Sequence, residues 1–286
     1  MRASKSNLES PSRRQVMAAA LGTGFAMAVR PVSAETILTS AEGLDAVDIK
    51  IPTGAGEIPG YRAFPKGKKK LPVVMVVHEI FGLHEHIKDV CRRLAKQGYF
   101  AIAPELFSRQ GDVTKLSDMG AIREIVGKAP DAQVLSDLDA TSAVAKASGH
   151  VDPAKLGVTG FCWGGRIAWL YAAHNPSLKA GVAWYGRVVG DKNDLHPKHP
   201  IDVAASLEAP VLGLYGGEDQ SIPVATLDEM KKALAGGDPA ARHSEIHVFP
   251  NAGHAFFADY RPQYRKEAAD EGWKRLLAWM KANGVA

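Results

Sequence analysis

Leu71 to Val77 is an unbroken apolar run, and it sets the pattern for the rest of the chain. A run with no polar alternation suits a strand buried on both faces. The two segments before it behave differently. Residues 44–51 and 57–64 alternate apolar and polar positions, with Thr53-Gly54-Ala55-Gly56 between them. They predict an antiparallel hairpin at the start of the domain. After Val77 the periodicity switches repeatedly between strand and helix. It predicts helix 86–96, strand Tyr99–Ala103, helix 132–148, strand Leu156–Thr159, helix 164–174 and strand Lys179–Tyr185. Strand 210–215, helix 224–235, strand 245–249 and a C-terminal helix 262–283 complete the series. Such alternation implies βαβ crossovers, hence an α/β fold with a mostly parallel, doubly wound sheet. The stretches 105–130 and 187–209 lack a clear period and read as cap or substrate loops.

The first 34 residues stand apart from this pattern. Ser12-Arg13-Arg14-Gln15-Val16-Met17-Ala18 resembles a twin-arginine export motif. An Ala- and Gly-rich stretch from Val16 to Val29 follows, then Arg30, Pro31 and the small-residue site Val32-Ser33-Ala34. The stretch is too short and too weakly apolar for a span of about 20 residues. Cleavage after Ala34 and a single catalytic domain over 35–286 are expected, which places the protein in the periplasm or outside the cell. This segment carries a net +4, equal to the formal +4 of the whole chain, so the remainder is close to neutral. The basic balance therefore does not point to a nucleic-acid or membrane partner. The expected partners are a small-molecule substrate and the export machinery.

Two cysteines make no disulfide framework. Cys91 sits on the apolar face of the predicted helix 86–96 and reads as a packing residue. A Cys91–Cys162 disulfide is open to an exported protein but would remove a free thiol. Cys162 is the more informative of the two. It lies in Gly160-Phe161-Cys162-Trp163-Gly164-Gly165, between a predicted strand and a predicted helix. In the α/β-hydrolase pattern G-x-S-x-G this turn is the nucleophile elbow, with cysteine here in place of serine. Asp219 follows strand 210–215, and His254 follows strand 245–249. Nucleophile, acid, histidine is the chain order of that fold, and all three fall beyond the carboxyl ends of strands. Glu218 and Asp228 compete for the role of the acid; Asp219 is preferred for its place in the tight loop after its strand. The cluster His78, His84 and His86 around Glu79 lacks the H-E-x-x-H spacing, because Gly82 stands where the second histidine is needed. Neither a metal site nor a nucleotide cofactor is indicated.

Three motifs in order, His78-Glu79-Ile80-Phe81-Gly82-Leu83, Gly160-Phe161-Cys162-Trp163-Gly164-Gly165 and Gly253-His254-Ala255-Phe256, resemble the dienelactone hydrolase (carboxymethylenebutenolidase) family. The resemblance covers most of 44–284. It implies a lactone hydrolase without a cofactor. Glu79 would neighbour a resting, largely neutral Cys162 thiol and take its proton when substrate binds. The thiolate would attack the lactone carbonyl and form an acyl-enzyme. Asp219 would hold His254 in one tautomer. The backbone N–H groups of Ile80 and Trp163 would form the oxyanion hole. Arg109 matches the family's carboxylate-binding arginine, and Tyr185 resembles a pocket tyrosine. The chain departs from the archetype at Ala258, where a second arginine is expected; Arg261 is near but not at that position.

The expected function is hydrolysis of a small lactone or activated ester by Cys162, His254 and Asp219. A general carboxylesterase or thioesterase uses the same groups, and a non-catalytic binding protein could keep the same fold.

Overall fold

The computed structural model describes residues 36–286, so the expected export segment lies outside the described residues. All eight strands join one sheet in the order β1-β2-β4-β3-β5-β6-β7-β8. The hairpin is β1 (Leu44–Thr53) and β2 (Gly56–Pro65), paired from Leu44 opposite Pro65 to Thr53 opposite Gly56. β2 also pairs antiparallel with β4 (Phe100–Pro104). Every other pairing is parallel, through β3 (Leu71–Val77), β5 (Val151–Phe161), β6 (Ala180–Trp184), β7 (Val211–Gly216) and β8 (Glu245–Phe249). The α/β-hydrolase architecture expected from the alternation is what forms.

The helices are α1 (Glu85–Lys96), α2 (Met119–Gly127), α3 (Asp131–Ala147), α4 (Trp163–Ala172), the short α5 (Pro200–Val203), α6 (Val224–Ala235), the short α7 (Pro239–His243) and α8 (Lys266–Ala282). β4, β6 and β7 are buried throughout, as continuous apolar runs covered on both faces must be. Trp169 and Trp184 are fully buried between sheet and helices. Each such side chain contributes roughly 1.5–3 kcal/mol of burial energy. Their N–H groups are satisfied, Trp169 by the Tyr215 hydroxyl at 3.0 Å and Trp184 by Thr159 Oγ1 at 3.1 Å.

Besides the two short helices and the earlier start of β5 at Val151, two departures from the periodicity reading bear on the site. The stretch 105–130 contains α2, started by an Asp118 side chain that accepts from the Ala121 N–H at 2.7 Å. Ile122 is buried and Met119, Ile125 and Val126 pack partly against the core, a stripe too short, in a helix of 9 residues, to stand out from the irregular stretch around it. The last helix begins at Lys266 rather than near 262, because 259–265 is a turn in which the Arg265 N–H donates to Phe256 O.

Candidate active site

The elbow arises where β5 runs into α4 with only Cys162 between them. Cys162 takes φ 55 and ψ −115, a conformation that side-chain-bearing residues avoid. The turn is held by the Cys162 N–H on Trp184 O at 2.9 Å and the Gly165 N–H on Cys162 O at 3.0 Å. Glycine is required on both sides. A Cβ on Gly160 would run into the Gly164 carbonyl, and one on Gly164 would meet the Val77 and His78 carbonyls. The strand–turn–helix therefore pushes the Cys162 side chain out over the carboxyl end of the sheet.

Two other strand ends bring the partners. Asp219 follows β7 and is 5% exposed. His254 follows β8. His254 Nδ1 lies 2.7 Å from Asp219 Oδ2, and its Nε2 lies 3.2 Å from Cys162 Sγ. Glu218 and Asp228 do not take this place; Asp228 pairs with Lys231. Burial alone would lower the His254 pKa. The hydrogen bonds to Asp219 and Cys162, and their charges, outweigh it and raise His254 to about 10. Asp219 is held below the usual carboxylate range, its burial outweighed by His254 and by two donors from Ser221. The arrangement presents an imidazolium to sulfur, the environment that stabilises a thiolate.

Beside the sulfur, Ile80 and Trp163 line a cavity of about 780 Å³. The Trp163 N–H opens α4 and has no intrahelical acceptor. The Ile80 N–H donates to no acceptor among the described residues. Tyr185 also lines the cavity; its ring meets His254 edge-on at 5.2 Å, and its buried hydroxyl has no hydrogen-bond partner among the described residues.

Glu79 is placed next to this region but is engaged elsewhere. It is 1% exposed. Its Oε2 accepts from the Tyr260 hydroxyl at 2.5 Å and lies 3.3 Å from His84 Nε2. The side-chain partner of Cys162 is His254, not Glu79. Burial would raise the Glu79 pKa, but the hydrogen bond from His84 and the nearby His86 and Arg261 hold it below the ordinary range. His84 is pushed down by burial, to about 4, so at neutral pH it meets Glu79 as a neutral donor. The other two histidines are also used in place. His78 Nδ1 contacts Glu79 O at 2.7 Å while its Nε2 accepts from the Leu106 N–H at 3.0 Å. His86 Nδ1 lies 3.2 Å from Asp259. His84 was already grouped with Glu79 in the sequence, whereas Tyr260 had no signal there, since it lies 181 residues from Glu79.

Arg109, expected to bind the substrate carboxylate, is engaged away from the cavity. Its guanidinium ion-pairs with Asp137 on α3 and donates to Thr53 Oγ1 at 3.3 Å, and it does not line the cavity. The reason is the burial of Asp137, which is 2% exposed and needs a counter-charge. The cationic lining comes instead from Arg123, Arg187, Arg261 and Arg166. Arg166 is consumed by a two-point ion pair with Asp131, both bonds 2.7 Å. Arg261 lies over the Phe81 ring, 5.6 Å from its centre. Arg123 sits on the helix that the periodicity missed, which is why it was not anticipated. The second cysteine is as expected: Cys91 is fully buried and reduced, and burial pushes its thiol far up.

Fold and strand-end geometry together define an α/β-hydrolase. Its family follows from comparison with known proteins. The dienelactone hydrolase family matches residues 58–284, and the chain belongs to that family. It is 62% identical over 277 residues to a protein of Methylorubrum extorquens AM1 named "Putative carboxymethylenebutenolidase", covering 96% of this chain and 94% of that one. A protein of the same name in Escherichia coli K12 is 50% identical over 270 residues, 94% of this chain and 98% of that one. The crystal structure of a dienelactone hydrolase candidate from Klebsiella pneumoniae superposes with a TM-score of 0.80 at 54% identity, covering 83% of this chain and 98% of that chain. The chain is thus a carboxylic ester hydrolase of the dienelactone hydrolase family.

Proposed function

We propose that the protein hydrolyses a lactone or activated ester with Cys162 as nucleophile, through an acyl-enzyme. The observation that carries this is the continuous line Asp219–His254–Cys162, with contacts of 2.7 and 3.2 Å at three strand ends. His254 takes the thiol proton, and the resulting imidazolium faces the thiolate. Sulfur attacks the ester carbonyl, and the new oxyanion sits between the N–H groups of Ile80 and Trp163. The carbon–oxygen bond of the leaving group breaks, and His254 returns the proton to that oxygen. In a lactone the leaving group stays tethered to the acyl chain. Neutral His254 then takes a proton from water, which attacks the thioester and frees Cys162.

His254 is the base in this reading because Glu79 is already satisfied. Glu79 would reach sulfur only by leaving Tyr260 and His84. The anionic subsite passes from Arg109 to Arg123, Arg187 and Arg261, which favours a substrate carrying a carboxylate. Comparing kcat/KM for lactones, acyclic esters and thioesters, each with and without a carboxylate, tests both points. Iodoacetamide should inactivate with one modification at Cys162, and substrate should protect. Full activity after complete alkylation of Cys162 rules the mechanism out. Export of the mature enzyme from Glu35 is a further part of the proposal, supported by the motif around Arg13 and Arg14. Replacing both with lysine should leave precursor in the cytoplasm; secreted protein beginning at Met1 would contradict it.

A further inference from the structure

We propose that Ser221 is a positioning residue that sets the orientation of Asp219 and, through it, of His254. The proposal rests on the Cys162–His254–Asp219 reading and adds a fourth member to it. Asp219 has two carboxylate oxygens, and they are divided cleanly. Oδ2 faces His254 Nδ1 at 2.7 Å. Oδ1 takes both donors of Ser221, the backbone N–H at 2.8 Å and the hydroxyl at 2.6 Å. The same hydroxyl oxygen lies 3.5 Å from His254 Nδ1, so it borders both partners.

A carboxylate held at one oxygen alone can turn about its last torsion. Two donors on the opposite oxygen remove that freedom. One of the two is the Ser221 backbone N–H, so the hydroxyl is the donor that a substitution can remove; the Asp219 N–H is spent on Gly216 O at 3.3 Å, which fixes the main chain and not the carboxylate. The spacing is that of an Asx turn, an aspartate accepting from the residue two places on, here strengthened by a hydroxyl. Ser221 lies on the cavity wall and is exposed, so it is not needed for core packing.

The consequence is a specific titration. The titratable groups that face His254 are Cys162 from the elbow, Asp219 from the loop after β7 and Tyr185 from the end of β6. If the Ser221 hydroxyl orients Asp219, removing it leaves Oδ1 on the Ser221 N–H alone, the carboxylate gains freedom to turn, and His254 loses part of its counter-charge. Its pKa then falls, and the alkaline limb of kcat/KM moves to lower pH. If the hydroxyl only draws charge from the carboxylate, removing it strengthens the Asp219–His254 pair and the limb moves up.

The experiment compares Ser221→Ala, Ser221→Thr and His254→Ala in the full chain, using a p-nitrophenyl ester and a lactone. Ser221→Ala should lower kcat by roughly 10-fold with little change in KM, since a small misplacement of a catalytic group acts on turnover. The alkaline limb should shift down. Ser221→Thr keeps the hydroxyl at an exposed position, so it should restore both. An alkaline limb that stays or rises in Ser221→Ala, or a Thr variant as impaired as Ala, overturns the proposal. A fully active His254→Ala would instead bring down the triad reading on which it stands.

Discussion

Asp219 and Glu79 each follow the carboxyl end of a strand, and both are at most 5% exposed. Both carboxyls are held ionised by their surroundings. They differ in what they hold. Asp219 faces His254, whose other nitrogen points to Cys162, so its charge is transmitted to a proton that can move. Glu79 faces Tyr260 and His84, and His84 stacks on His86, which contacts Asp259. Asp259 pairs in turn with Arg93. That chain of contacts does not include the sulfur. The difference teaches that a buried carboxylate near a thiol is not thereby its base. What decides the matter is whether its protons and partners are exchangeable or already committed.

The largest effect should come from cutting the Asp219 side. Cys162→Ala and His254→Ala should lower kcat/KM by at least about three orders of magnitude, in line with loss of a member of such a unit. Asp219→Asn keeps the shape but removes the charge that raises His254, so the alkaline limb near pH 10 should move down by more than one unit. The same shift has a stability counterpart. A histidine whose pKa is raised on folding stabilises fully below its unfolded value and loses that contribution as pH rises towards about 10. Wild-type thermal stability should thus fall between pH 7 and 10 more steeply than that of Asp219→Asn. Equal slopes would remove the ion pair from the argument.

The next effect tests the committed carboxylate. Glu79→Gln can still accept from Tyr260 and should lower turnover by only about 10-fold, evenly across pH. A loss of two to four orders that recovers as pH nears the free-thiol value of ~8.5 would instead make Glu79 the base, and would erase the contrast with Asp219. Glu79 has a lowered pKa, so it stabilises above its unfolded value and ceases to as pH falls below the ordinary carboxylate range. Acid unfolding of Glu79→Gln should accordingly begin less steeply. Tyr260→Phe removes the 2.5 Å donor and should cost about 1–3 kcal/mol of stability.

The same contrast explains what could be read before the structure. The sheet, its hairpin and the three strand-end groups were legible because continuous apolar runs, a glycine-lined turn and chain order are local signals. Cys162, Asp219 and His254 each sit within a few residues of such a signal. The Tyr260 contact of Glu79 was not legible, since it spans 181 residues and no periodicity records it. α2 was missed because its stripe of Met119, Ile122, Ile125 and Val126 spans only 9 residues within an otherwise irregular stretch, and Arg123 was missed with it. The pairing of Arg109 was not legible because its resemblance by position said nothing of Asp137, whose burial claims it. Ser221 did carry a signal, its two-residue spacing from Asp219, which is short enough to be read as an Asx turn.

The smallest kinetic effect concerns the arginines, and it extends the comparison from carboxylates to cations. Arg109 is committed, like Glu79; Arg123 and Arg187 line the cavity and enter no ion pair among the described residues, so their charge is available. Arg109→Gln should therefore leave KM alone and cost about 1–3 kcal/mol, because it strips a buried Asp137 of its counter-charge. Arg123→Gln and Arg187→Gln should leave stability nearly unchanged, as exposed cations contribute little. Each should raise KM several-fold for a carboxylate-bearing ester or lactone, as expected for about 1 kcal/mol per lost charge contact, and not for the neutral analogue. High salt should narrow that gap in the wild type, since the mouth of the cavity is open to ions. Should Arg109→Gln raise KM for the anionic substrate alone, the guanidinium must leave Asp137 during binding. Commitment in the resting structure would then be no guide to role, for Arg109 or for Glu79.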